Sequence, residues 1–121
     1  MEGPTSIHCK RAYEPPQQTD GCRVLVDRLW PRGLKREDLH LDMWCKELAP
    51  SDELRRWFNH DSRLWAAFYQ RYHKELRGKQ EELQALLEAA DGRPLTLLYA
   101  ARDSEHNNAV ALAMFLRKVM G

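Results

Sequence analysis

Two short segments of this sequence are apolar on both sides of an extended chain, and this restricts the fold more than any other feature. They are segments 22–27, CRVLVD, and 94–101, PLTLLYAA. A strand that is apolar on both sides must be covered on both faces of its sheet, as the strands of parallel sheets are. We therefore expect two strands in the interior of a sheet that is flanked by helices.

Two further extended segments add to this sheet. Residues 7–13, IHCKRAY, predict a first strand that ends at the turn formed by Glu14, Pro15 and Pro16. Residues 41–45 favour a short strand over the alternative of a helical turn. Strands separated by helices predict an α/β fold with a mostly parallel sheet and Rossmann-like layering. We expect one domain over residues 6–121 and a loose N-terminal end at residues 1–5.

The segments between the strands carry the signals of helices. One helix is expected to begin after Ser51, whose side chain can cap it, and another after Asp61. Apolar residues at helical spacing continue to Gly78, and a third apolar stripe runs to Asp91. A closing helix, apolar almost all round, is predicted over residues 109–120.

Composition and charge exclude several classes of protein. With 19 Lys and Arg against 18 Asp and Glu, the net charge of +1 argues against bulk binding to nucleic acid or membrane, although a local basic patch is compatible with it. No apolar run approaches the roughly 18 residues of a membrane span, and no signal peptide is recognised, so we expect a cytoplasmic protein. Cys9, Cys22 and Cys45 predict neither a disulfide framework nor a metal site, and the histidines show no metal-binding spacing. Composition and charge predict neither a cofactor nor an oligomeric state.

Each of the two apolar strands is followed by a dense group of polar and aromatic residues. The first group contains Asp27, Arg28, Trp30, Arg32 and Gly33, and the second contains Arg102, Asp103, His106, Asn107 and Asn108. Ligands of open parallel sheets bind beyond the carboxyl ends of the strands. If the two strands are parallel neighbours, both groups meet at one edge of the sheet.

The chemistry of these groups suits an anion. Arg28 and Arg32 offer planar donor forks that match phosphate or carboxylate, and Trp30 can stack on a planar group. The start of the closing helix, at Asn107 and Asn108, adds backbone N–H groups and the positive end of a helix dipole. These residues predict a site for a phosphorylated or nucleotide-like small molecule.

A catalytic role would fall to His106, which can transfer a proton near neutral pH. Asp27 or Asp103 would then orient the imidazole, and the reaction would be a hydrolysis or a group transfer. The alternative is that His106 is a structural or surface histidine, so the sequence leaves open whether the protein is an enzyme.

Structural interpretations of the same residues also remain open. Asp27 and Arg28 can form an ion pair that closes the strand end, and Trp30 with Pro31 can plug the edge of the sheet. Asp103 or Ser104 can serve as the N-cap of the closing helix. A separate functional alternative is a non-enzymatic module that binds a protein partner or nucleic acid through the face that bears arginine and tryptophan, since both residue types are frequent at binding interfaces.

Four stretches of the chain together resemble the YeaO-like family of small bacterial proteins. They are IHCKRAYEPP, GCRVLVDRLWPRGL, KELAPSDELRRWFNHD and LLYAARDSEHNNAVAL, which cover nearly the whole chain after residue 5. The resemblance implies a compact α/β domain and brings no settled activity. It also implies that cysteines of more distant members are replaced here by Tyr99 and Asn107. The third stretch contains Phe58, Asn59, His60 and Asp61, which are candidates for a third wall of the predicted site.

Overall fold

The two segments that are apolar on both sides lie side by side in the middle of a parallel sheet. The structure is a computed structural model that describes residues 3–120. Its strands are β1 (Ile7–Arg11), β2 (Cys22–Leu25), β3 (Met43–Trp44) and β4 (Leu95–Tyr99). They pair in the order β1-β4-β2-β3, and every pairing is parallel. The predicted α/β fold is confirmed, and β2 and β4 are parallel neighbours, which is the condition under which the two polar groups meet.

Helices connect these strands and cover the sheet. They are α1 (Arg36–Leu39), α2 (Asp52–Phe58), α3 (Trp65–Arg77), α4 (Gln80–Ala90) and α5 (Asn108–Met120). Short 3-10 turns occupy Gln18–Asp20, Lys46–Leu48 and Ser62–Leu64. The sequence did not predict α1 or the first two turns, because elements of three or four residues are too short to show a helical period. The third turn, capped by Asp61, leads into α3, the helix expected after that residue.

The two faces of the sheet are covered unequally. The larger core lies under α2, α3, α4 and α5 and includes the buried side chains of Val24, Leu97 and Tyr72. The opposite face holds a smaller cluster around Leu25 and Leu98, closed by the segment that contains α1. Both central strands are therefore shielded from water on both sides, as their composition requires.

Three of the strands are shorter than the sequence predicted. β1 ends at Arg11 instead of residue 13, β2 ends at Leu25 instead of residue 27, and β4 covers Leu95–Tyr99 instead of residues 94–101. The ladder beyond β2 nevertheless continues for one hydrogen bond, from Val26 N–H to the Leu98 carbonyl at 3.1 Å. After that the chain departs from the sheet, and this departure opens the site described below.

The N-terminal segment that was expected to be loose is attached at its inner end. Thr5 N–H donates to the Arg93 carbonyl at 3.1 Å, and Pro4 is buried. Met1 and Glu2, which belong to the same prediction, lie outside the described residues.

Within residues 3–120, no helix has both the length and the apolar character needed to cross a membrane.

Gly21 gives a direct test of how β2 is placed beside β4. Its φ is +65°, and a Cβ there would lie 2.3 Å from the Pro94 carbonyl oxygen, which accepts the Cys22 N–H at 2.8 Å. Gly21→Ala should therefore lower the free energy of unfolding by about 3 kcal/mol, from overpacking and backbone strain. Urea unfolding measures this change.

Gly78 provides the matched control. Its φ is −87°, and a Cβ there would lie 3.5 Å from its nearest neighbour. Gly78→Ala should leave stability unchanged or raise it by up to about 1 kcal/mol. Equal effects of the two substitutions would contradict this account of Gly21.

Candidate functional site

A cleft of about 530 Å³ lies at the carboxyl edge of the sheet. Asp27 follows β2 and Ala100 follows β4, and both line the cleft together with α2 residues and the start of α5. The two polar groups that follow β2 and β4 therefore do converge on one edge of the sheet, although only part of each group lines the cleft.

The lining changes character from the interior to the mouth of the cleft. Ala49, Pro50, Phe58 and Phe68 are buried and give the inner wall an apolar surface. The exposed lining residues include four arginines, which are Arg28, Arg32, Arg55 and Arg56. The cleft thus combines an apolar interior with a cationic mouth.

Asp27 is the only acidic residue among those that line the cleft, and its carboxylate holds three elements together. Its Oδ2 accepts the Ala100 N–H at 2.9 Å, just beyond β4. Its Oδ1 accepts from Asn108 Nδ2 at 3.0 Å, and the same amide donates to the Val26 carbonyl at 3.1 Å. Burial raises the pKa of Asp27, although these two donors and nearby Arg55 and His60 act in the opposite direction.

The structural alternative of an ion pair between Asp27 and Arg28 is not what the structure shows. Arg28 Nε lies 3.5 Å from Asp52 Oδ1, in a pair that is almost half exposed, whereas the Asp27 oxygens are taken by amide donors. Such exposed pairs contribute little to stability. Arg28 therefore points from the strand end toward α2, with most of its donors available.

Asp52 also binds Arg55 at 2.8 Å, so one carboxylate serves two arginines of the mouth. Among residues 3–120, Arg32 and Arg56 form no ion pair. These two guanidinium groups are exposed and open to a ligand.

The position of α2 is fixed from both ends. Ser51 caps the helix by accepting the Leu54 N–H at 3.2 Å, as predicted, and its hydroxyl donates to Glu75 Oε2 of α3 at 2.6 Å. At the other end, Asn59 and His60 take left-handed conformations with φ of 45° and 56° and end the helix. This break places His60 in the cleft lining, as the sequence suggested.

The loop after β2 is held from two directions. Tyr13, just beyond β1, donates its hydroxyl to the Arg32 carbonyl at 2.8 Å. Trp30 packs edge-to-face on Trp44 at 5.3 Å, and its Nε1 donates to the Leu34 carbonyl at 2.6 Å. Trp30 lines the cleft, yet these contacts support the structural interpretation that it plugs the sheet edge.

The histidine and acid proposed for catalysis pair with each other but do not line the cleft. His106 Nδ1 lies 2.9 Å from Asp103 Oδ2, and the His106 ring packs edge-to-face on Trp65. Arg102 and Gly33, which were predicted to bind the ligand, are also absent from the lining. The carboxylate nearest to the cleft is Asp27, and its partners are amides instead of His106.

The cap of α5 is Asn107 instead of Asp103 or Ser104. Asn107 Oδ1 accepts the Val110 N–H at 2.9 Å. Asp103 instead accepts the N–H groups of Glu105 and His106 in the preceding turn, which, with the His106 ring, lowers its pKa. Both Asn107 and Asn108 line the cleft.

Sequence reasoning missed three residues of the mouth: Tyr13, Arg55 and Arg56. Tyr13 was assigned to the end of a strand, and the two arginines lie inside a helix, where charged residues are usually only solvated. The sequence feature that could have identified the two arginines is the short interval between Arg56 and the helix break at His60. A helix that ends at a candidate site brings its last turn to that site.

The cysteines and metal-binding side chains add little to the chemistry of this edge. Burial raises the pKa of Cys9 to about 11 and that of Cys45 to about 12, and it also raises the pKa of Cys22, so each thiol is protonated at neutral pH. No group of three or more His, Cys, Asp and Glu side chains within residues 3–120 is arranged to hold a metal ion.

The fold and the cleft define a small parallel α/β domain, and comparisons with known proteins identify its family. The sequence profile described as "Inactive DUF488-N3 subclade" matches residues 6–120. The chain belongs to this family, which confirms the resemblance to YeaO-like proteins noted above.

Bacterial relatives match over almost their full length. The protein YeaO of Escherichia coli (strain K12) is 47% identical over 114 residues, which cover 94% of this chain and 99% of YeaO. Rv3073c of Mycobacterium tuberculosis (strain ATCC 25618 / H37Rv) is 38% identical over 114 residues, which cover 93% of this chain and 94% of the relative. The names of these relatives state no ligand or reaction. No solved structure matches the chain.

The opposite pKa shifts of Asp27 and Asp103 can be tested by titration. Both carboxyls have an ordinary pKa of 3.8, raised by burial at Asp27 and lowered by donors at Asp103. Ionised Asp27 therefore disfavours the folded state, and this cost disappears as the pH falls through its folded pKa. Asp103 stabilises the folded state above pH 3.8 and loses that contribution as the pH falls through its lower folded pKa.

Carbon-detected NMR of the two carboxyl groups measures both midpoints in one sample. We expect Asp27 to titrate above 3.8 and Asp103 below it. The reverse order would contradict the placement of Asp27 in a desolvated interior.

Proposed function

We propose that this protein binds a small phosphorylated ligand in the strand-end cleft and does not transform it. The observation that carries the proposal is the set of four arginines around the mouth of an apolar-walled cleft. Guanidinium groups match the oxygens of phosphate two at a time, which makes arginine the preferred residue where phosphate is recognised.

The local positive charge of the cleft supports the binding of an anion, although the charges of the whole chain nearly balance. The lining contains four arginines and one carboxylate, and Arg32 and Arg56 have no ion-pair partner among residues 3–120. Positive charge gathered at one concave surface attracts anions more strongly than the net charge of +1 suggests.

The size and walls of the cleft favour a small molecule over a macromolecule. Ligand pockets typically measure about 300–1,000 Å³ and combine apolar walls with a few polar groups, and this cleft of about 530 Å³ falls in that range. The exposed side chains of Tyr13 and Leu29 at the mouth, and of Trp57 in α2, favour the alternative, a protein or nucleic-acid partner.

Three observations support binding without catalysis. The family description names an inactive subclade. The three thiols are protonated at neutral pH, which removes the usual reactive form of cysteine. The pair formed by Asp103 and His106 does not line the cleft. That pair is nevertheless the observation that would favour the alternative of a hydrolase or transferase.

Removal of the unpaired arginines should weaken binding strongly. The first measurement is a thermal-shift screen with inorganic phosphate, ribose 5-phosphate, nucleoside monophosphates and a short oligonucleotide at two salt concentrations. A ligand at about a hundredfold its Kd should stabilise the protein by about 2.7 kcal/mol. In the double variant Arg32→Ala, Arg56→Ala the affinity should fall by about a hundredfold or more, because each lost charge-assisted hydrogen bond costs about 1.5–3 kcal/mol.

The control is the double variant Lys74→Ala, Arg77→Ala, which removes two exposed cations from the last turn of α3, away from the cleft. It should bind as the unaltered protein does. Equal losses in both variants would show a nonspecific charge effect. If only the oligonucleotide binds, the protein is a nucleic-acid-binding protein and the small-ligand proposal is wrong. If a product forms from any nucleotide, the proposal that the protein does not transform its ligand is wrong.

A further inference from the structure

We propose that the ligand of the cleft is a guanine nucleotide, with the base edge on Asp27 and the phosphate at the arginines of the mouth. This inference rests on the proposed function and names the chemical class of its ligand. It assigns to Asp27 the recognition of two adjacent N–H groups, N1–H and the 2-amino group of guanine.

Asp27 has acceptor capacity left after its contacts within the protein. Each carboxylate oxygen can accept about two hydrogen bonds. Oδ2 accepts one from the Ala100 N–H, and Oδ1 accepts one from Asn108 Nδ2. Among the described residues no other donor reaches either oxygen, so one position on each oxygen is open to a ligand.

The orientation of this carboxylate is fixed before any ligand arrives. Its two amide donors come from the end of β4 and the start of α5, which hold both oxygens in place. A carboxylate held in this way presents two parallel acceptor positions, and pairing with two parallel donors gives geometric specificity as well as energy.

The surroundings of Asp27 increase the binding free energy that a hydrogen bond from a ligand donor would contribute. The half-buried carboxylate of Asp27 has lost part of its hydration when ionised, and this burial raises its pKa. N–H donors on a ligand would replace the hydrogen bonds that water no longer makes to this carboxylate. A ligand without such donors would leave the buried charge with too few hydrogen bonds.

Among nucleobases, guanine alone offers two adjacent N–H donors on its pairing edge. Adenine and cytosine each place a ring acceptor beside their amino group, and that acceptor would face the carboxylate and repel it. Uracil and hypoxanthine have one ring N–H with carbonyl groups or a C–H beside it. An ionised carboxylate therefore discriminates in favour of guanine by donor pattern.

The remaining walls fit the other parts of a nucleotide. Pro50, Phe58 and Phe68 are buried residues that give the inner wall an apolar character, which suits the uncharged base of a nucleotide. Arg32 and Arg56 at the exposed mouth are open to the phosphate. The base and the phosphate thus have separate recognition groups, one in the interior of the cleft and the other at its mouth.

Isothermal titration calorimetry with four probes tests this inference on the unaltered protein. The probes are GMP, IMP, AMP and ribose 5-phosphate at neutral pH. IMP differs from GMP only by the missing 2-amino group, so the ratio of their dissociation constants measures the effect of one hydrogen bond to the carboxylate. GMP should bind about tenfold or more tightly than IMP, and more tightly still than AMP and ribose 5-phosphate.

The Asp27→Asn variant supplies a second readout. It should lose the preference for GMP over IMP while its affinity for ribose 5-phosphate changes by less than about threefold, since the arginines of the mouth are intact. Asp91→Asn is the matched control, because Asp91 is exposed at the end of α4 in a left-handed conformation that asparagine tolerates. If Asp27→Asn does not fold, the ratio of GMP to IMP in the unaltered protein decides alone.

The outcomes separate this inference from the proposed function. Equal affinities for all four probes would overturn base recognition and leave the binding of phosphorylated ligands intact. A preference for AMP would overturn the guanine assignment and leave the cleft as a nucleotide site. Failure of all four probes and of inorganic phosphate would overturn both proposals.

Discussion

The hydrogen bonds of the Asp27 carboxylate are the interaction on which the site depends. Asp27 binds a backbone amide 73 residues further along the chain and a side-chain amide 81 residues further along. These contacts join the end of β2 to the end of β4 and to the start of α5. Because β2 and β4 leave the sheet side by side, a cleft opens between their loops, and Asp27 fixes its interior wall.

The same carboxylate gives the cleft an unequal distribution of charge. A partly desolvated anion lies on the interior side, and cationic guanidinium groups stand at the exposed mouth. A ligand that carries donors at one end and a phosphate at the other enters in one orientation only. The separate anchoring of α2 to α3, through Ser51 and Glu75, fixes the helix that carries Arg55 and Arg56. The geometry of the cleft therefore depends on contacts between residues that are distant in sequence.

The sequence predicted the architecture because apolar periodicity and helix caps are local signals. β2, β4 and the cap at Ser51 were all recognisable, and Asp27, Arg28 and Arg32 were found because they follow a strand directly. The partners of Asp27 and Arg28 were not predictable, because the choice between Asp52, Ala100 and Asn108 depends on how α2 and α5 pack. His106 was assigned to the site from its position after β4, but the turn that pairs it with Asp103 directs it toward Trp65.

The most direct test of the central claim is amide NMR mapping of the ¹⁵N-labelled protein during titration with GMP and with ribose 5-phosphate. The account predicts that shifts concentrate in residues 27–32 and at His60, Ala100 and Asn108, around the cleft. Perturbations confined to α4 or to the turn around His106, with the cleft amides unmoved, would contradict it. That result would place the binding surface of this protein elsewhere on the molecule.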